Sequence, residues 1–208
     1  MSLVSFTRRA ALGLAFAALI PVSAFAALPT ISQPAPAFTA KTADGKMLSL
    51  DSLRGKTVVL EWTNADCPFV KKHYESGNIP NLQEAETAKG VVWLQVISSA
   101  PGQQGNVDGP TAIKLNDYRG AKPTATLLDP EGKIGKLYGA QTTPHFFIID
   151  AKGQLAYKGA IDSIASADQG DIAKADNYVK DALAAIATGA KIEHANTKPY
   201  GCSVKYAS

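Results

Sequence analysis

Continuous apolar runs and short alternating stretches recur along the chain, separated by breaks rich in Gly, Pro and Asp. Thr57-Val58-Val59-Leu60 is an apolar β-type run, and Val91–Ile97 (VVWLQVI) has the continuous apolar character of a strand buried on both faces. The pattern predicts a hairpin over Ala37–Leu50, turning at Asp44-Gly45, and a first central strand over about Lys56–Trp62. A helix follows Cys67-Pro68, and another is expected over Asn81–Lys89, opened by Pro80 and closed by Gly90. Strands are predicted over Val91–Ile97 and Thr124–Leu128, with short helices over Pro110–Tyr118 and Lys133–Tyr138. His145–Ile149 and Gln154–Lys158 form a second hairpin across Asp150-Ala151-Lys152-Gly153. A last helix is expected over Asp171–Ala187, because Ile172, Val179, Leu183 and Ile186 share one helical face. This order is α/β: a central mixed sheet flanked by helices, its middle strands parallel and its last pair antiparallel, with an N-terminal β-hairpin extension.

The first residues carry a different pattern. Arg8-Arg9 precede the apolar stretch Ala10–Ile20, Pro21 breaks it, and Ala24-Phe25-Ala26 supplies a small-residue cleavage site. Residues 1–26 are therefore expected to be a cleavable export signal, and Thr7–Leu12 resembles a twin-arginine signal. The expected division is a leader over 1–26, one domain over 27–190, and a tail over 191–208 that carries Cys202. Export is expected to place the mature protein in the bacterial periplasm, with no stable membrane span after cleavage; the lesser alternative is an uncleaved anchor over Ala10–Leu28. The formal charge is +3, and losing Arg8 and Arg9 leaves 19 basic against 18 acidic residues. Such a balance, without any Lys/Arg block, argues against nucleic acid and for a small molecule or a protein thiol as partner.

Candidate chemistry centres on KTVVLEWTNADCPFVKKHY. A strand leads through Glu61, Trp62 and the turn residues Thr63, Asn64 and Asp66 to Cys67, and Pro68 starts the helix. A thiol at a helix N-terminus is exposed to free N–H groups and to the positive end of the dipole, which favour the thiolate. Lys71 and Lys72 are expected to add positive charge. The alternative reading is a buried structural cysteine. With Cys202 as the second of two cysteines, an oxidising compartment permits one intramolecular disulfide, worth up to about 5 kcal/mol by chain entropy.

The strand and helix order, with the thiol at the end of the first central strand, resembles the thioredoxin fold over about Ala35–Ala187. PAPAFTAKTADGKMLSLDSLRGK is similar to the opening of redoxins, the peroxiredoxin-like and TlpA-like branches. The resemblance places Glu61 where thioredoxins carry a buried acid, and Thr143-Pro144 at their cis-proline loop facing the active sulfur. PYGCSVKY is similar to the tail of a group of redoxin-domain proteins. The chain also departs from both patterns. Val70 replaces the second cysteine of Cys-x-x-Cys, and Leu60 and Asn64 replace the Pro and Thr of the peroxiredoxin motif. Arg54 and Arg119, the arginines left after leader removal, do not fall in the late strand where peroxiredoxins place theirs.

The resemblance implies a thiol oxidoreductase or weak thiol peroxidase with Cys67 as nucleophile. Its substrate is a peroxide or a protein or small-molecule disulfide, and Cys202 or an external thiol reductant resolves the intermediate. Glu61 is a candidate proton carrier or a satisfied core carboxylate. No cofactor and no metal are expected on this reading. Two alternatives stand beside it: a binding module resembling copper-handling Sco proteins through Cys67 and His145, and an idle scaffold clamped by a Cys67–Cys202 bridge. His73 is expected to be solvated, His194 to be exposed, and Trp62 and Trp93 to lie in the core.

Overall fold

The computed structural model describes residues 28–207, so the expected leader lies outside the described residues. The chain opens with β1 (Thr39–Thr42) and β2 (Met47–Ser49), antiparallel about Asp44-Gly45, where Gly45 takes the left-handed conformation the turn requires. Then come β3 (Val58–Trp62), α1 (Pro68–Glu75), α2 (Asn78–Thr87) and β4 (Val92–Ile97). They are followed by α3 (Gly109–Tyr118), β5 (Ala125–Leu128), α4 (Lys133–Tyr138) and β6 (Thr142–Thr143). The hairpin of β7 (His145–Ile149) and β8 (Leu155–Gly159), then α5 (Tyr178–Thr188) and β9 (Cys202–Ser203), complete the order.

Seven strands make one mixed sheet in the order β2-β1-β5-β4-β3-β7-β8. The middle pairs β3·β4 and β4·β5 are parallel, whereas β7 runs antiparallel to both β3 and β8. This is the mixed α/β sheet that the pattern predicts. β6 and β9 pair apart from it as a two-stranded ribbon.

Strand alternation sorts the side chains into two layers. Val58, Leu60 and Trp62 face one apolar layer with Leu94, Tyr138 and Phe147. Val59 faces the other, with Trp93, Phe146, Tyr157, Val179, Leu183 and Cys67. Glu61 is in step with Val59, so its carboxyl is turned into the second layer, beneath α1 and α2. Trp62 and Trp93 are both fully buried, as expected.

Two predicted elements change. The expected Asp171–Ala187 helix is instead a 3-10 helix over Gln169–Lys174 followed by α5, with Ala175 extended between them. Two caps cause the break: Asp168 Oδ1 accepts from Gly170 N–H at 2.8 Å, and Asn177 Oδ1 accepts from Lys180 N–H at 3.0 Å. The helix expected from Asn81 starts at Asn78, with Pro80 in its first turn, where no intrahelical amide partner is needed.

Leu60 is completely buried at the centre of the sheet. Leu60→Ala is expected to lower unfolding stability by about 3 kcal/mol, as read from the midpoint shift in chemical denaturation.

Candidate active site

The turn that delivers Cys67 is tied locally. Asn64 Oδ1 accepts from Asp66 N–H at 2.9 Å, and the Asn64 carbonyl accepts from Cys67 N–H at 3.1 Å. Cys67 is the N-cap of α1, and Pro68 is its first residue, as predicted. The Cys67 carbonyl accepts from the N–H groups of Val70 and Lys71 at 3.0 and 2.9 Å, which leaves its side chain free of capping duty.

Opposite this helix mouth, the Thr143-Pro144 bond is cis, and β6 carries Thr143 alongside Cys202 of β9. The Sγ atoms of Cys67 and Cys202 lie 2.8 Å apart, both as free thiols, and Cys67 Sγ is 3.0 Å from the Thr143 carbonyl oxygen. Cys67 is buried, whereas Cys202 is partly exposed. Burial pushes the Cys67 thiol up, but hydrogen bonding from the Cys202 thiol, the N–H groups of Cys202 and Val70, and Thr143 outweighs it, so the net direction is down. Cys202 moves the other way, pushed up to about 11 by burial and by its neighbour Cys67. The pair is therefore polarised, with Cys67 the more acidic sulfur and Cys202 the proton holder.

Below α1, Glu61 is fully buried. Its carboxyl receives Tyr74 OH at 2.5 Å, Trp93 Nε1–H at 2.7 Å and Gln83 Nε2–H at 3.0 Å. Gln95 Nε2–H donates to Tyr74 OH at 2.7 Å, and its own carbonyl accepts from Thr126 Oγ1–H at 2.9 Å. Desolvation raises the Glu61 pKa against the pull of these donors and of Arg119. Its hydrogen-bond partners are core groups, and none of them is Cys67.

The Redoxin family model matches residues 30–179, a span that takes in Cys67, Glu61 and the cis-proline loop. The chain belongs to the redoxin family. No curated protein matches it significantly in sequence. Among solved structures it is similar to a hypothetical protein from Sinorhizobium meliloti 1021, with TM-score 0.72 and 19% identity over 86% of this chain and 96% of that one. An uncharacterized conserved protein from Geobacillus kaustophilus gives 0.71 and 24% identity, covering 86% and 93%. A putative thiol:disulfide interchange protein DsbE from Chlorobium tepidum gives 0.50 and 22%, covering 62% and 84%. Together with the sheet order, these likenesses establish the thioredoxin-like fold of the redoxin.

A second buried cluster anchors the tail of this redoxin, and the sequence reading missed it. His73, expected to be solvated, is fully buried; so is Lys72, expected to charge the thiol. Lys72 Nζ lies 3.7 Å and His73 Nε2 3.8 Å from Asp162 Oδ2, and Tyr200 OH donates to Asp162 Oδ1. His73 also contacts Tyr200 OH at 3.2 Å and Asn78 Nδ2 at 2.8 Å. Burial, reinforced by Lys72, lowers the His73 pKa to about 4, so the ring is neutral at pH 7. Lys72 thus serves Asp162, and the lowering of the Cys67 pKa comes from hydrogen bonds. Tyr200 stands two residues before Cys202, so the cluster fixes where that sulfur sits.

Beyond Cys202 the tail stays docked. Val204 N–H donates to Gln141 O, Ala100 N–H to Lys205 O, and Tyr206 OH to Ala140 O. Gly201, at φ +134°, passes so close to the cis-proline loop that a Cβ there would stand 2.1 Å from the Thr143 carbonyl oxygen. Of the other expected residues, Thr63 and Asn64 are buried beside the turn, while Asp66 is exposed. His145 is buried against Phe147, and its Nδ1 accepts from Gln141 N–H at 3.2 Å. His194 is exposed, as expected. No group of three or more metal-ligating side chains occurs among the described residues, and none of their helices is long and apolar enough to cross a membrane.

A raised carboxyl pKa means that the folded chain keeps a proton the unfolded chain has released. The stability contributed by Glu61 is therefore full below its ordinary value of 4.5 and declines as pH rises from there through the raised value. Glu61→Gln is expected to match the wild type at low pH and to lose this decline, as denaturation across a pH series will show. Tyr200→Phe removes a donor to buried Asp162, and its expected cost is about 1–3 kcal/mol. Faster alkylation of Cys202 should accompany that loss, measured by mass spectrometry.

Proposed function

We propose that this redoxin is an exported thiol-dependent oxidoreductase in which Cys67 is the nucleophile and Cys202 the resolving thiol. The observation that carries the reading is the polarised pair: two sulfurs 2.8 Å apart, the acidic one at a helix N-terminus and its mate on a docked strand. The work of Cys-x-x-Cys is divided here between α1 and the tail, because position 70 is a valine.

The Cys67 thiolate attacks one sulfur of a substrate disulfide, forms a mixed disulfide and expels the other half as a thiolate. Cys202, once deprotonated, attacks the Cys67 sulfur and expels the second half. Two electrons have then passed to the substrate, and the enzyme holds a Cys67–Cys202 disulfide. An external dithiol restores both thiols by the reverse exchange. With hydrogen peroxide the first step gives Cys67 sulfenic acid and hydroxide, and condensation with the Cys202 thiol releases water. The Thr63–Asp66 turn, Pro68, Thr143 and cis Pro144 shape the surroundings of the sulfur. Glu61 keeps the ground beneath α1 polar. The Arg8-Arg9 leader supports delivery to the periplasm, where such exchange has substrates.

Cys67→Ser is expected to abolish turnover of both disulfide and peroxide substrates. Cys202→Ser should preserve the first chemical step and trap it, as a mixed disulfide or a sulfenate detected by intact-mass analysis. An unreactive Cys67 at neutral pH in the reduced wild-type protein would overturn the assignment.

A further inference from the structure

Among the described residues, three buried side-chain polar atoms lack a hydrogen-bond partner, and two of them belong to residues that line one cavity: Thr63 Oγ1 and Arg119 Nη1. The cavity has a volume of about 110 Å³ and lies under the Thr63–Asp66 turn, on the side of α3. At about 30 Å³ per water, that is the liquid share of three to four waters, enough for a small polyatomic ion. Ile97 and Val107 contribute apolar wall, and Asp66, the carboxylate at its edge, is exposed.

Arg119 makes no ion pair, and the charge of buried Glu61 reaches it only at longer range. Its Nε and Nη2 both donate to the neutral Asn116 Oδ1, at 3.3 and 2.9 Å, and its guanidinium stacks 3.9 Å over the Tyr74 ring. No carboxylate forms an ion pair with it among the described residues. The nearest buried acid in the network, Glu61, hydrogen-bonds Tyr74 and is itself pushed toward the neutral form by desolvation. One guanidinium N–H is thereby left buried beside a cavity that also receives a hydroxyl. Thr63 is 2% exposed, so its unpaired Oγ1 has no access to bulk water as compensation. A buried donor without a partner costs about 1–3 kcal/mol, more when charged, and two at one cavity fit a ligand that accepts from both.

We propose that this cavity is a binding site for a small monovalent oxyanion of the formate, bicarbonate or nitrate class, held by Arg119 Nη1 and Thr63 Oγ1. The positive charge selects an anion, the two donors select an oxygen acceptor, and the volume suits a small polyatomic ion. Phosphate and sulfate carry two charges, which one guanidinium does not balance, so a single-charged oxyanion is the better match. The bound anion rests against the backbone that leads to Cys67 and supplies the counter-charge that Arg119 lacks. The site is separate from the sulfur pair, since neither cysteine lines it.

The test is calorimetric titration of the reduced, full-length protein with sodium formate at fixed ionic strength, with bicarbonate and nitrate as parallel arms. One saturable site per chain, with a matching rise in thermal midpoint, is expected for at least one of the three. Arg119→Gln should abolish it. Thr63→Val, close to isosteric, should weaken it by about tenfold, the worth of one hydrogen bond to a charged group. Without anion, Thr63→Val should be as stable as the wild type or more so, because it deletes an unpaired hydroxyl; this control separates lost binding from lost folding. Absence of saturation in all three arms, with only ordered water at Arg119 in a crystal grown with formate, would overturn the proposal. So would undiminished binding by both variants.

Discussion

The pairing of β9 with β6 holds the C-terminal segment against the cis-proline loop, and the chemistry of the molecule depends on it. Cys67 and Cys202 are 135 positions apart, and without the pairing nothing local would bring their sulfurs together. Closing so long a loop costs entropy that grows only slowly with length, so a few well-made contacts are enough to offset it. Those contacts are specific: Tyr200 on Asp162 upstream, strand pairing at Thr143, and Val204, Lys205 and Tyr206 bonded to the main chain downstream. Gly201 is the joint, since the backbone there runs too near Thr143 for any side chain.

α1 stands between two buried polar clusters. Toward the sheet, Tyr74 closes a network with Glu61, Gln83, Trp93 and Gln95; toward the tail, Lys72 and His73 face Asp162 and Tyr200. Low dielectric strengthens the contacts in both, although on the tail side Asp162 Oδ2 has no hydrogen-bond partner and is held by the Lys72 charge at 3.7 Å. The helix that presents Cys67 is thus pinned on both flanks by groups that tolerate little movement. That rigidity keeps the thiolate-stabilising N–H groups in place.

Much of the fold was legible in the sequence because its signals are local. Apolar runs at Val58–Leu60 and Val91–Ile97, turns at Asp44-Gly45 and Asp150–Gly153, and Pro68 after Cys67 each report on their own neighbourhood. Ile172 misled because it matched the helical period while Asp168 and Asn177, two strong caps, divided the segment. Lys72 and His73 misled for another reason: polar residues on a short helix read as surface, and the partners that bury them arrive from positions 162 and 200. Arg119 stood out only for its absence from a late strand, since its stacking on Tyr74 joins the end of α3 to α1, elements far apart in sequence. Motif comparison pointed to Cys202, but its docking rests on a glycine conformation that no composition rule reveals.

A docked β9 also decides what can approach the cis-proline loop. Its backbone hydrogen bonds at Thr143 occupy the edge along which an extended peptide would add as a further strand. Any extended segment that approached that edge would compete with a tethered rival whose effective concentration is on the order of millimolar. The tail therefore covers that edge of the loop as well as holding Cys202 in place.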